Sequence, residues 1–143
     1  FRDVRIRSLN SVRGPQGLPL IKPPYARVTA IDMGTGDHKW MTINGDGPRQ
    51  KVIDMGLPDP GPLGASWSGG PVLTKSLLFV TQADGQRNVL RAFDKGSGQI
   101  VAEIDLPARP WGTPMTYSQN GKQYIVVASG QAQDARLVAL ALP

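Results

Sequence analysis

Residues 30–40, AIDMGTGDHKW, return in altered form as residues 92–102, AFDKGSGQIVA. The shared skeleton is Ala-x-Asp-x-x-Thr/Ser-Gly. Trp40 closes the first copy, and Ala102 stands at that place in the second. A unit written twice is one piece of supersecondary structure that buries its apolar face against its neighbour. The repetition extends beyond this phrase. Ala92 and Ala139, and Phe79 and Val126, are each 47 residues apart, and GGPVLT (69–74) aligns with GTPMTY (112–117). Ala30 and Ala92 are 62 apart, a spacing swollen by a long connection.

The unit is read as four strands. The apolar blocks are short: 26–32, 38–44, 70–74, 77–82, 88–94, 99–106, 113–118, 123–129 and 136–142. They are rich in Val, Ile, Thr, Phe and Tyr, the residues that suit a pleated surface. MGTGD, ADGQ, DKGSG, SQNGK and SGQAQD separate them as turns. Seventeen glycines and thirteen prolines in 143 residues fit strands joined tightly, and no amphipathic helix is expected anywhere. Residues 44–68 and 1–24 break the rhythm with Gly and Pro and are expected as irregular surface segments.

Four antiparallel strands in about 40–50 residues are the signature of a propeller blade. The expected fold is all-β, a partial β-propeller of about two to three four-stranded antiparallel blades. Residues 1–44 would end one blade, 67–106 would form a complete one, and 112–143 would supply three strands of an incomplete last one. So few blades cannot close a ring, which takes about four to eight. An open stack leaves apolar faces and unpaired edges. Two resolutions remain: the chain is the C-terminal part of a larger propeller, or copies of it self-assemble.

The motif residues have mechanical roles. Ala lets neighbouring blades approach, Asp32 and Asp94 accept turn amides, and Gly36 and Gly98 supply the turn. Trp40 is expected between blades with its ring against a peptide plane. At Ala102 the interface is expected to be looser, or filled by another side chain such as Trp111.

Composition narrows the chemistry. There is no cysteine, so disulfides, thiolate catalysis and cysteine zinc sites are excluded. His38 is the only histidine and cannot build a zinc site alone. It is expected to be exposed. Glu103 and Asp105 offer no isolated carboxylate pair, and no Gly-rich phosphate cradle leads from a strand into a helix. Net charge is +5, with Arg2, Arg5, Arg7 and Arg13 near the start. No aromatic residues interleave with these arginines, so a solvated edge is expected rather than a nucleic-acid contact. No run reaches the ~18 apolar residues of a membrane span, and no signal peptide opens the chain. A start at Phe1 suggests a processed or excised piece.

The Ala-x-Asp-x-x-Thr/Ser-Gly-x-x-x-Trp pattern resembles the tryptophan-docking motif of quinoprotein dehydrogenases, eight-bladed propellers that carry pyrroloquinoline quinone (PQQ). GTPMTYSQNGKQYIVVASG (112–130) is similar to that family's last blade. Residues 17–40 and 69–99 resemble its membrane-bound glucose dehydrogenase branch. The resemblance implies a periplasmic dehydrogenase, inner-membrane-anchored through segments outside these residues, acting on an alcohol or aldose. It would hold PQQ and calcium and pass electrons to ubiquinone or a cytochrome. The remaining blades would be partners of this chain. The family's aspartate base and calcium ligands lie in earlier blades, so no catalytic or metal-binding residue is assigned here, and the fragment alone is expected to bind no cofactor and be inactive.

Site residues follow by the same resemblance. Trp67, in SWSGG, resembles a tryptophan that contacts the cofactor, against the alternative of a loop residue plugging a blade gap. Lys22, in LIKPP, is a candidate cation near a quinone oxygen, against a solvent-facing lysine. Gly130 and Gln131 fall at the turn of the last blade that faces the substrate cavity. The family often has Gly-Gly followed by His or Trp there; ASGQAQDA is shorter and has neither. Trp111 and Thr113, in the last loop leading into an inner strand, are candidates for the same cavity. A non-enzymatic propeller built on the same repeat, acting as a binding or assembly scaffold, is the alternative function.

Overall fold

A computed structural model describes residues 13–14, 16–65, 69–83 and 87–141. Arg2, Arg5, Arg7 and Trp67 therefore lie outside the described residues. The chain divides into two compact units, Phe1–Arg27 with Ile43–Ser66, and Val28–Thr42 with Trp67–Pro143.

The second unit carries the repeat. Strands β1 (Arg27–Ile31) and β2 (His38–Ile43), whose outermost residues fall in the first unit, pair as a two-stranded sheet. Strands β3 (Pro71–Leu73), β4 (Leu77–Ala83), β5 (Asn88–Asp94) and β6 (Ile100–Asp105) form a four-stranded antiparallel sheet in chain order. Strands β7 (Pro110–Gln119), β8 (Lys122–Ser129) and β9 (Arg136–Ala141) form a three-stranded one. Order along the chain equals order in space, because short turns join neighbours and no crossover is needed. This is the partial β-propeller that the repeat implies.

The core sits between the four- and three-stranded sheets. Leu90, Leu106, Ile125 and Val127 are buried together, with Val72, Phe79, Val138 and Leu140 packed around them. Alternation explains the membership: Leu90 points one way from β5, while Val89, Arg91 and Phe93 point the other. Arg91 is buried on that second face. Its directly opposed neighbour is Glu103, to which its Nε donates. Arg91, and secondarily Arg87, holds the Glu103 carboxyl below its ordinary range.

The turn chemistry is as the sequence indicates. Asp32 Oδ1 accepts from the Gly34 amide at 2.8 Å, and Asp94 Oδ1 from the Ser97 amide at 2.7 Å. Both carboxyls are held below the ordinary value, Asp32 first by Lys39 and Asp94 first by the Ser97 hydroxyl.

Trp40 projects from β2 onto the β5–β6 turn of the four-stranded sheet. Its Nε1 donates to the Lys95 carbonyl at 3.0 Å, and Thr42 Oγ1 donates to the Gly98 carbonyl at 2.7 Å. A Cβ on Gly98 would lie 2.4 Å from the Trp40 ring, so the indole rests directly on that peptide. Ala102, at the place of the indole in the second copy, is exposed. The turn matching residues 95–98 would follow β9, outside the described residues.

The first unit corrects the expectation of a helix-free, irregular connection. Residues Arg49–Asp54 form a short helix, α1. Its six residues are too few to show helical periodicity, which is why the pattern is silent there. The excursion is clasped at its base: Gly64 donates to the Gly45 carbonyl and Ala65 to the Asn44 carbonyl, each at 2.8 Å. Tyr25 donates to the Leu63 carbonyl at 2.8 Å. Leu63 and Ala65 are buried.

Arg49 fixes the far side of this loop. Its Nε and one terminal nitrogen donate to the two carboxylate oxygens of Asp59 at 2.8 and 2.6 Å. That fork, helped by the Gly61 amide, lowers Asp59 from 3.8 to about 2. The folded value lies below the unfolded one. The stabilisation is therefore present above the unfolded value and is lost as pH falls through the folded one. A carbon-detected NMR titration should place the Asp59 midpoint near 2, and Arg49→Gln should raise it towards 3.8. An unshifted midpoint in the unaltered chain would remove the fork from the account of this loop.

Candidate functional site

The β6–β7 connection and the β8–β9 turn meet at one end of the three-stranded sheet. Pro110 is registered opposite Ser129, and Trp111 opposite Ala128. Ser129 is buried, and its hydroxyl donates to the Ala108 carbonyl at 2.7 Å. The Gly130 amide donates to the Arg109 carbonyl at 2.9 Å. These two bonds tie the turn to the connection. The Arg109 guanidinium carbon lies 5.0 Å from the centre of the Trp111 ring, a cation–π distance.

The turn itself is tight. Gly130 has φ +83°, and a Cβ there would sit 2.2 Å from the Asp134 carbonyl oxygen. Residues Ala132–Asp134 make a single 3-10 turn, after which Arg136 Nε donates to the Asp134 carbonyl at 3.2 Å. Ala128, Ser129, Gly130, Ala135, Arg136 and Leu137 line an open recess of about 290 Å³. The only charged side chain lining it is an arginine. Its chemistry is that of hydrogen-bond donation and anion attraction, without an acid–base pair.

The structure gathers some of the residues singled out in the sequence and separates others. Gly130 lines the recess, Gln131 is exposed beside it, and Trp111 is half-buried across the sheet from Ala128. Thr113 lies further along β7, past an irregularity in the pairing between Trp111 and Met115. It rests on Gly70, where a Cβ would meet its Oγ1 at 2.2 Å. Lys22 is exposed and belongs to the first unit. Trp67 is outside the described residues. His38 is exposed on β2.

Sequence reasoning missed Arg109 and Arg136. The signal was present, since each lies within a few residues of the turns singled out. It was unreadable without knowing that the 106–109 connection folds against the 129–136 turn. Among the described residues, no three His, Cys, Asp or Glu side chains are grouped so as to hold a metal ion. No helix among them is long and apolar enough to cross a membrane.

Comparison with known proteins finds relatives of this sequence. Residues 3–125 match the family described as PQQ: Glucose/ethanol/alcohol dehydrogenase, beta-propeller domain. Quinate/shikimate dehydrogenase (quinone) of Acinetobacter baylyi is 40% identical over 125 residues, covering 83% of this chain and 15% of that protein. Quinoprotein glucose dehydrogenase of Escherichia coli is 35% identical over 124 residues, covering 86% of this chain and 15% of that protein. The glycerol dehydrogenase large subunit of Gluconobacter thailandicus is 35% identical over 122 residues, covering 80% and 15%. The chain thus spans about 15% of the length of these relatives.

Proposed function

Because the chain belongs to the PQQ glucose/ethanol/alcohol dehydrogenase β-propeller family, we propose that it is the C-terminal part of a periplasmic PQQ-dependent dehydrogenase. The whole protein oxidises an alcohol or aldose hydroxyl group and passes electrons to ubiquinone or a cytochrome. Residues 1–44 end one blade, 67–106 make a complete blade, and 112–143 make most of the last one. The observation that carries this reading is the family match across residues 3–125, a span that takes in the two-stranded and four-stranded sheets and part of the three-stranded one. The Trp40 contact with Lys95 and Gly98 supports reading the repeat as a tryptophan-docking motif.

The described residues do not by themselves fit the family's cofactors. Calcium takes about six to eight oxygen ligands, several of them carboxylates. The recess offers one arginine and no lining carboxylate. A planar tricarboxylate such as PQQ would find there one arginine, Arg136, and a buried hydroxyl, that of Ser129, already bonded to Ala108. That is one wall and not a pocket, so no chemical step is assigned to these side chains. Of the residues singled out in the sequence, only Gly130 lines that wall.

The test uses the full-length protein supplied with PQQ and calcium, assayed by dye reduction against aldoses, polyols and quinate. Oxidation of at least one of these is expected, with none by the 143-residue chain alone. Turnover by the chain alone would refute its status as a fragment. A full-length protein inert to every hydroxyl substrate would favour a scaffold.

A further inference from the structure

Asparagine followed by glycine occurs twice in the chain, at Asn44–Gly45 and at Asn120–Gly121. The pair is a turn signal, because both residues accept a positive φ. It is also a reactive pair. Glycine has no side chain to shield its amide nitrogen, so that nitrogen can reach the asparagine Cγ. Whether it does so depends on how firmly the fold holds the two residues. Asn44 is 7% exposed. Its amide donates to the Ala26 carbonyl at 3.1 Å, and its carbonyl accepts from the Ala65 amide at 2.8 Å. The Gly45 carbonyl accepts from the Gly64 amide, also at 2.8 Å. This first pair is locked into the base of the clasped loop. Asn120 and Gly121 are held differently. They form the two-residue turn between β7 and β8, closed by the Gln119–Lys122 pair. Their φ values are +52° and +75°, the type I′ geometry. Both are exposed, and a Cβ on Gly121 would meet nothing within 4 Å. Among the described residues, no hydrogen bond holds either of them.

We propose that Asn120 is a site of self-modification, converting through a cyclic imide to aspartate and isoaspartate. The Gly121 amide nitrogen forms a bond to Asn120 Cγ, and the bond from Cγ to Nδ2 breaks. Nδ2 leaves as ammonia, carrying the proton that the Gly121 nitrogen gives up. Water then opens the ring. Attack at Cγ yields aspartate, and attack at the backbone carbonyl carbon yields isoaspartate, whose main chain runs through Cβ and Cγ. Nothing is oxidised or reduced, and water is the only co-reactant. Either product puts a carboxylate where a neutral amide stood. Isoaspartate also lengthens the main chain by a carbon atom, in a two-residue turn whose length sets the register of its hairpin. That register places Tyr117 opposite Tyr124, with the two rings stacked at 4.9 Å. Isoaspartate at residue 120 therefore loosens this stack, while the clasp at Asn44 is spared.

Peptide mapping by mass spectrometry tests this in the full-length protein, incubated at mildly alkaline pH in heavy-oxygen water. Base speeds the reaction because the attacking amide must lose its proton, and the heavy oxygen marks each converted residue. Asn120 should convert at least about tenfold faster than Asn44, since Asn44 must first be freed by local opening. Isoaspartate should exceed aspartate among the products. In denaturant the two rates should converge, because both pairs are then unfolded Asn-Gly chain. Asn120→Gln should keep its side-chain amide in the native protein, because the larger ring closes slowly. An Asn120 that stays an amide in the native protein, or converts no faster than Asn44, would overturn the proposal. So would rates that differ as much in denaturant, which would assign the difference to flanking residues and not to the fold. No step uses enzymatic turnover, so the result is independent of the dehydrogenase reading.

Discussion

Gly98→Ala is expected to cost about 3 kcal/mol of unfolding free energy, while Gly36→Ala, at the matching place in the other copy of the repeat, costs about 1 kcal/mol. Both glycines have strongly positive φ, +73° and +80°. A side chain in that region strains the backbone by about 1–2 kcal/mol. That term is common to both substitutions. The difference lies in what surrounds them. The space beside Gly36 is open, whereas a Cβ on Gly98 would be 2.4 Å from the Trp40 ring and 3.0 Å from Thr42 Oγ1. The indole would have to lift, losing its packing and the bond from Nε1 to the Lys95 carbonyl. Thermal or chemical unfolding of both variants measures this difference directly. In a Trp40→Ala background the two glycine substitutions should converge, because the ring that distinguishes them is gone. If Gly98→Ala and Gly36→Ala cost the same in the unaltered protein, the indole contributes no stability at that contact.

Leu90→Ala should be similarly damaging, at about 3 kcal/mol. Leu90 is 1% exposed and is buried with Ile125 and Val127 of the neighbouring sheet. Truncation removes apolar contact on the seam between two sheets, and β-sheets pinned by their own hydrogen bonds cannot collapse to fill the space. The denaturation midpoint should fall with little change in slope. Leu137→Ala in the isolated chain, by contrast, should stay within about 0.5 kcal/mol, since that side chain is 75% exposed there. A Leu90→Ala midpoint equal to that of Leu137→Ala would mean that the two sheets do not share a core.

Much of this was legible in the residues themselves. Strand positions follow from period-2 apolar blocks, and the turns from Gly, Asn and Asp between them. The roles of Asp32 and Asp94 follow from the habit of short carboxylates to accept nearby amides. Other features were not legible. Helix α1 is too short to write a period, and the clasp joining Asn44 and Gly45 to Gly64 and Ala65 links residues about twenty apart with no pattern between them. Arg109 and Arg136 carry no pattern in the sequence; the 106–109 connection folding onto the turn after β8 is what gives them a place beside that turn. The cation–π contact between Arg109 and Trp111, two residues apart, was not legible either.

The repeat by itself determined the architecture. Its spacing makes the unit a four-stranded sheet, and its Ala, Asp, Gly and Trp positions say that successive sheets stack. These are local and near-neighbour properties, set by side-chain alternation and turn geometry, so a single sequence carries them. Only the tertiary structure decided which side chains are covered. Trp40 finds its peptide on the next sheet, Leu90 finds Ile125 and Val127, and Met115 and Leu137 stay exposed. Burial depends on what lies opposite in space, and an apolar residue is written the same way whether it is covered or waiting to be covered.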